Sequence, residues 1–257
     1  MLFMKKLLFV IALCLSALSG LQAQTVHRYD AKLDGRIPVT IALQQTNGSV
    51  VAGYIYYPRA KTPAPIMVIG SVMQYPDNEA SYFLSEYQSD GSITGTISIQ
   101  LEKGKLHGTW TNPKTQKTMA LAGVSVSRQT PEWFTESLLV PEDASNIGRE
   151  YSYEQWSPKY NENMGGTISF RAAGKNKVHF ECMNAFNNIA EGSSEEGRPA
   201  VLDGNVFEYY EVNECHYAFR ATFFRRFVVL ESISGGESTR CFGMNASFDG
   251  VYVKVKQ

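Results

Sequence analysis

The strongest constraint on the fold is a strict two-residue alternation of apolar and polar side chains within residues 93–110. In residues 93–101 the odd positions hold Ile, Gly, Ile, Ile and Leu, whereas the even positions hold Thr, Thr, Ser and Gln. Residues 102–105 supply a polar turn that includes a glycine, and Leu106, Gly108 and Trp110 then resume the alternation. This pattern predicts an antiparallel β-hairpin with one buried side and one side in water.

Short alternating segments of the same kind surround this hairpin, at residues 39–44, 50–56, 66–69, 82–87 and 119–124. Asn47-Gly48 suits the positive φ angles of a type I′ turn. Pro58 ends the strand predicted from the alternation in residues 50–56. We therefore predict an approximately eight-stranded meander that closes into a barrel or coils strongly. Its inward positions are rich in Ile, Val, Leu, Tyr and Trp, which favours a barrel filled by its own side chains over one with an open cavity.

The alternation stops between residues 127 and 150 and then resumes, which indicates two domains. Thr130, Pro131 and Glu132 have the character of a helix start, so this stretch allows one short helix. We predict an N-terminal β-barrel-like domain at residues 24–127, a linker with room for a short helix at 128–150, and a C-terminal β-domain at 151–257. The predicted fold class is all-β, with two antiparallel barrel-like or sandwich-like domains.

Residues 1–23 have the features of a secretory signal peptide: Lys5 and Lys6, an apolar run over residues 7–18, and Ala23 before the expected cut. We therefore expect a periplasmic or secreted protein, and the mature chain has no further apolar run long enough for a transmembrane helix. Removing Lys5 and Lys6 from the 24 basic residues leaves 22 against 25 acidic ones. This balance argues against nucleic acid as a partner.

Three cysteines remain after processing, at positions 182, 215 and 241. In an oxidising compartment we predict a disulfide between Cys215 and Cys241, because the strands between them would carry the chain out and back. Such a bridge would contribute roughly 3 to 4 kcal/mol on the loop-entropy model. Cys182 alternates with apolar neighbours and is predicted to be a core residue.

Aromatic side chains are the residue class that most favours binding. We predict a stacking platform for sugars or a protein partner from five of them: Tyr54, Tyr56, Tyr82, Trp110 and Trp156. The same strand spacing also suits aromatic residues that line a core or a barrel.

Catalytic signatures are sparse. Gly-x-Ser-x-Gly is absent, and the four histidines have no metal-ligand spacing. We therefore expect no catalytic residue, no metal and no cofactor. A glycan hydrolase that uses Glu86 or Glu208 is the enzymatic alternative, since such chemistry needs two convergent carboxyl groups.

Several short motifs resemble known exported proteins. The first module resembles a class of exported bacterial β-rich proteins of unassigned role through Gly53-Tyr54-Ile55-Tyr56-Tyr57, Gly91-Ser92-Ile93-Thr94-Gly95-Thr96 and Leu106-His107-Gly108-Thr109-Trp110. The second is similar to the β-modules of bacterial periplasmic lysozyme-inhibitor-like proteins through Cys215-His216-Tyr217-Ala218-Phe219, Cys241-Phe242-Gly243 and Phe248-Asp249-Gly250-Val251-Tyr252. This resemblance implies a non-catalytic, lysozyme-inhibitor-like binding protein whose partner is a lysozyme or a cell-wall glycan. The alternatives are the hydrolase and a small-ligand carrier that uses the first barrel.

Overall fold

The computed structural model describes residues 25–126, 129–148, 151–156, 165–185, 190–194, 197–211, 217–233 and 247–256. Within these ranges the chain forms seventeen β-strands and two three-residue 3-10 helices, Pro76–Asn78 and Ala144–Asn146. None of the helices in the described part has the length and apolar character that crossing a bilayer requires. The all-β prediction is confirmed.

The first half of the chain is a closed antiparallel barrel of eight strands in sequential order. Its strands are β1 (His27–Leu33), β2 (Ile37–Gln45), β3 (Val50–Tyr56), β4 (Pro65–Gln74), β5 (Ala80–Tyr87), β6 (Ile93–Glu102), β7 (Lys105–Thr111) and β8 (Thr118–Val126). Each strand pairs with the next, and β1 pairs with β8, so that Arg28 lies opposite Val126. The predicted eight-stranded meander is confirmed, and closure leaves no strand edge unpaired.

Two hairpins of this barrel differ in their turns. Between β6 and β7 the turn residues Lys103 and Gly104 both have positive φ, as a two-residue hairpin turn requires. The type I′ turn predicted at Asn47-Gly48 is wrong, because neither residue has a positive φ. The chain makes a longer loop there, which the Thr46 side chain stabilises by accepting a hydrogen bond from the Gly48 backbone N–H at 3.2 Å.

The barrel interior is filled by its own side chains. Alternate residues of β3 point inward, so Val51 and Ile55 are buried in the barrel core while Tyr54 points outward. Gly53 lies between them because strand β2 passes very close: a Cβ there would lie 1.9 Å from the Ala42 carbonyl oxygen. The aliphatic and aromatic lining predicted from the sequence therefore forms a packed core.

The second half of the chain is a curled antiparallel sheet. Its strands are β9 (Tyr151–Trp156), β10 (Gly165–Ala172), β11 (Lys177–Asn184), β12 (Ala190–Ser193), β13 (Ala200–Val201), β14 (Val206–Tyr210), β15 (Ala218–Phe223), β16 (Phe227–Ser232) and β17 (Gly250–Lys256). The spatial order is β12-β11-β10-β9-β17-β16-β15-β14, with β13 beside β11. Strand β9 pairs with β17 near the C-terminus, and Glu154 lies opposite Val253.

The concave side of this sheet encloses an aromatic core. Phe180, Phe207, Phe219 and Phe223 are each at most 2 % exposed. Phe219 meets both Phe180 and Phe207 edge to face, with centroids 5.1 Å and 5.7 Å away, whereas Phe180 and Phe207 are stacked. Cys182 lies in the same core, as its alternation with apolar residues predicts.

A second apolar layer joins the two halves of the molecule. The outer surface of the barrel packs against residues of the 129–148 segment and against the convex side of the second sheet. The side chains of this layer include Ala52, Tyr54, Ile69, Tyr87 and Ile93 from the barrel, Phe134, Leu138 and Leu139 from the connecting segment, and Phe227, Val229, Val251 and Val253 from the sheet. The segment itself makes a turn, closed by a hydrogen bond from the Phe134 N–H to the Pro131 carbonyl, where the sequence allowed a short helix.

Strand β16 is buried on both of its faces. Val228 and Leu230 point into the aromatic core, whereas Phe227 and Val229 point into the layer against the barrel. This double burial explains the unbroken apolar run Phe227-Val228-Val229-Leu230, a pattern that β3 shares because it too is buried on both faces. Strand β16 therefore contacts the aromatic core of the second sheet on one face and the apolar layer against the barrel on the other.

Candidate functional site

The predicted binding residues Tyr54 and Tyr56 pack within the molecule. Both point outward from β3 toward the connecting segment. Tyr54 meets Phe134 edge to face with centroids 5.4 Å apart, and Tyr56 stacks on Trp133 with centroids 5.2 Å apart. These two rings therefore help to fasten the connecting segment to the barrel.

The other predicted binding residues lie elsewhere. Tyr82 is inside the barrel, where its hydroxyl is 3.0 Å from the Tyr29 hydroxyl. Trp110 is partly buried at one end of the barrel interior. Trp156 is the last residue of β9, and its side chain lies outside the described part of the structure. The four described rings do not converge on one surface.

The predicted disulfide residues, Cys215 and Cys241, lie outside the described residues. Cys182 is described, and it is a free cysteine that is 5 % exposed. Burial raises the pKa of its thiol well above the ordinary value, despite a hydrogen bond with Tyr252. A buried thiol with a raised pKa is a poor nucleophile, so Cys182 serves the packing of the core.

The two carboxylates of the hydrolase alternative belong to different sheets. Glu208 is on the outer side of β14, where Arg220 donates to it at 2.6 Å and Tyr210 donates at 3.0 Å. The hydrogen bond from Arg220 lowers the pKa of this exposed carboxyl. Glu86 is inside the barrel and only 3 % exposed. Paired acids of the kind that glycoside hydrolysis uses are therefore not formed by these two residues.

Glu86 is held by three hydrogen-bond donors at one end of the barrel. Its Oε1 accepts from the Tyr57 hydroxyl and, at 2.9 Å, from Trp110 Nε1, and Thr94 provides a third hydrogen bond. The pairing of β5 with β6 shifts beside Glu86, which leaves Thr94 as the extra residue of a β-bulge. A Cβ on Gly95 would lie 2.5 Å from both the carboxylate and the indole nitrogen, so glycine leaves room for this network.

Burial dominates the electrostatics of this network. It raises the pKa of the Glu86 carboxyl, and the hydrogen bonds from Tyr57, Trp110 and Thr94 oppose that rise without cancelling it. Burial and the nearby carboxylate also raise the pKa of Tyr57 well above its ordinary value, so its hydroxyl remains a donor. The buried Glu86 carboxylate is therefore satisfied by hydrogen bonds from the protein's own side chains.

A cleft of about 580 Å³ lies between the barrel and the second sheet, at the end of the barrel that holds Glu86. The barrel contributes the start of β4 and the end of β5, and the sheet contributes the β15–β16 turn and β17. The residues that line the cleft are Tyr54, Ala64, Pro65, Ile66, Met67, Tyr87, Gln88, Ser89, Arg225, Arg226, Val253 and Lys254. A smaller cleft of about 380 Å³ lies on the barrel beside β1, β2 and β8.

The larger cleft has three basic side chains, which differ in their partners. Lys254 contacts Glu142 at 2.5 Å, and Arg226 forms an ion pair with Glu136. Both carboxylates come from the connecting segment. Among the described residues the Arg225 side chain has no hydrogen-bond or ion-pair partner, although its backbone N–H donates to the Val140 carbonyl at 3.0 Å.

Of the residues that line this cleft, only Tyr54 was among the predicted binding residues, because the lining comes from five separate strands or turns. One signal was present: Arg225 and Arg226 are adjacent in the short turn between β15 and β16, with Phe224 before them and Phe227 after them. Two consecutive arginines between buried phenylalanines must both lie at the rim of an apolar layer. The pattern alone does not reveal which surface they face.

No family model matches the chain, and no curated protein or solved structure matches it either. Within the described ranges, no group of three or more His, Cys, Asp or Glu side chains is placed to hold a metal ion. The fold defines a closed eight-stranded barrel joined to a second curled β-sheet. Of the two clefts described above, the larger lies between these two halves.

Proposed function

We propose that the chain is an exported, non-catalytic binding protein whose ligand occupies the cleft between the barrel and the second sheet. The observation that carries this proposal is the cleft itself, whose volume of about 580 Å³ is in the range of small-molecule sites. Clefts between domains are a common place for such sites. The signal-peptide features of residues 1–23 support export to the periplasm or beyond.

The walls of the cleft support a preformed site. Tyr54, Tyr87 and Val253 are each at most 8 % exposed and belong to the apolar layer that joins the two halves. Burial raises the pKa of Tyr87 to about 12, so its hydroxyl stays neutral. Because these side chains are fixed by packing, a ligand would find the cleft already formed and would lose little affinity to reorganisation.

The lining favours a cell-wall glycan over the other ligands considered. Ile66, Met67 and Val253 give an apolar wall, while Gln88 and Ser89 supply an amide and a hydroxyl. A sugar ring presents both a carbon face and hydroxyl groups, so it matches such a mixed lining. A carrier function that uses the barrel interior is disfavoured, because packed side chains fill that interior.

The test is to block the cleft. Ser89 is exposed at its edge, and Ser89→Trp would place a large ring there. Ser98→Trp is the matched control, since Ser98 is exposed on the outer face of β6 and does not line the cleft. We expect cell-wall glycan fragments to bind the unchanged protein and Ser98→Trp in equilibrium dialysis, and to bind Ser89→Trp at least tenfold more weakly.

Two results would contradict the proposal. One is equal binding of the fragments by Ser89→Trp and Ser98→Trp, which would place the ligand elsewhere. The other is absence of fragment binding together with inhibition of a lysozyme by both variants. That second result would support the lysozyme partner and a binding surface outside the cleft.

A further inference from the structure

We infer that the cleft selects an acidic saccharide, and that Arg225 anchors its carboxylate. This inference rests on the proposed function and adds the chemical class of the ligand. It begins from the charges on the cleft wall. Lys254 and Arg226 are neutralised by Glu142 and Glu136 of the connecting segment, whereas Arg225 has no such partner among the described residues.

The Arg225 guanidinium is placed for binding. Arg225 is exposed and lines the cleft, and the hydrogen bond from its backbone N–H to the Val140 carbonyl fixes its backbone in the turn. A guanidinium presents a planar fork of donors that matches a carboxylate with two parallel hydrogen bonds. Among the described residues that line the cleft none is acidic, and the two nearest carboxylates named above, Glu142 and Glu136, are each paired with a basic side chain.

The two ion pairs beside Arg225 strengthen this reading. Glu142 is 7 % exposed, and it holds Lys254 at 2.5 Å within the cleft wall. The second carboxylate, Glu136, fixes Arg226 on the other side of the same turn. Since both acids are already engaged, neither compensates the charge of the Arg225 side chain, which has no partner in the part of the chain that the structure describes.

The strand pairing favours a saccharide over an acidic peptide. Extended peptides commonly bind by adding a strand to a free sheet edge. The cleft has no such edge: β4 and β5 belong to a closed barrel, and β17 pairs with β9 on one side and β16 on the other. A ligand must therefore be recognised through its side groups, which suits a sugar acid with its carboxylate on Arg225 and its ring along Ile66 and Met67.

The experiment is calorimetric titration with three probes: digalacturonate as the acidic saccharide, galactobiose as its neutral counterpart, and triglutamate as an acidic peptide. The proteins are the full chain and its Arg225→Gln, Arg225→Lys and Arg198→Gln variants. Arg198 is exposed before β13 and does not line the cleft, so its variant is the matched control. Thermal unfolding of each variant verifies that it is folded.

We expect digalacturonate to bind the unchanged protein and Arg198→Gln equally, and to bind Arg225→Gln at least about tenfold more weakly, as loss of a charged hydrogen-bonded pair predicts. Arg225→Lys should retain part of the affinity because it keeps the charge without the planar fork. Galactobiose should bind at least tenfold more weakly than digalacturonate.

Three results would overturn the inference: galactobiose binding as tightly as digalacturonate, triglutamate binding more tightly than either, or Arg225→Gln leaving the affinity unchanged. Failure of all three probes would also overturn it. The proposed function is judged separately by the Ser89→Trp comparison. If Ser89→Trp no longer binds glycan fragments whereas Arg225→Gln still does, the cleft remains the proposed site. The inferred selectivity for acidic saccharides is then wrong.

Discussion

Replacing Phe227 by alanine should weaken the whole molecule, because this ring lies in the layer shared by the barrel and the second sheet. Phe227 is fully buried and stacks on Phe224, with ring centroids 4.7 Å apart. Truncating a buried phenylalanine to alanine costs about 3 to 5 kcal/mol through lost transfer free energy and the cavity that remains. Typical domains have only about 5 to 15 kcal/mol of stability, so the loss should be large.

The assay is urea unfolding followed by tryptophan fluorescence and by far-UV circular dichroism. The matched control is Phe83→Ala, since Phe83 is on the outer face of the barrel and is 47 % exposed. We expect this control to lose about 1 kcal/mol or less, because half of its ring is already in water. The reasoning is refuted if Phe227→Ala loses no more free energy of unfolding than Phe83→Ala.

Two further predictions concern buried titratable groups. Because the pKa of Glu86 is raised in the folded state, the folded chain binds this proton more tightly than the unfolded chain does. The free energy of unfolding should therefore fall as the pH rises from 4.5, the ordinary pKa of a glutamate, toward the pKa of the folded state. Glu86→Gln should remove this part of the pH dependence, whereas Glu102→Gln at an exposed position of β6 should keep it; urea midpoints between pH 4 and pH 8 measure both. Cys182 is buried with a raised thiol pKa, so iodoacetamide should label it only after denaturation, as peptide mass mapping would detect. Parallel pH profiles of the two glutamine variants would contradict the first prediction, and rapid labelling of native Cys182 would contradict the second.

The barrel could be predicted from the sequence because its signal is local. Each strand alternates over a few residues, and short connections between sequential strands predict sequential pairing. The 93–110 hairpin is confirmed in detail, with Ile97 opposite Trp110. The type I′ turn predicted at Asn47-Gly48 was wrong because these two residues lie within a four-residue loop, where nothing requires positive φ.

The contacts between the two halves were much less visible. Outward-facing Tyr54 and Tyr56 look in the sequence like exposed rings on a wet face, whereas they pack against residues 133 and 134 of the connecting segment. Alternation tells which residues share a face of a strand, and it does not tell what covers that face. The unbroken apolar runs in β3 and β16 were the local signs that these strands are buried on both sides.

The network around Glu86 illustrates the same limit. An acid between Ser85 and Tyr87 reads as a wet-face residue, yet it lies inside the barrel with three donors around it. Tyr57 and Trp110 come from β-strand ends far apart in sequence, so only closure of the barrel brings them to Glu86. A bulge at Thr94 completes the set, and strand alternation contains no sign of a bulge.

The first strand of each half pairs with the last strand of that half, and this pairing has a consequence for the order in which the molecule folds. The barrel is complete once β8 reaches β1, so everything it needs has emerged by residue 126. Strand β9 likewise must wait for β17, because Glu154 pairs with Val253 across a sequence separation close to that between Arg28 and Val126. Contacts so distant in sequence form slowly, since a long loop must be closed first. Strand β17 also carries Val253 and Lys254, so the cleft is assembled last, and a chain cut short before β17 would lack this wall of the cleft.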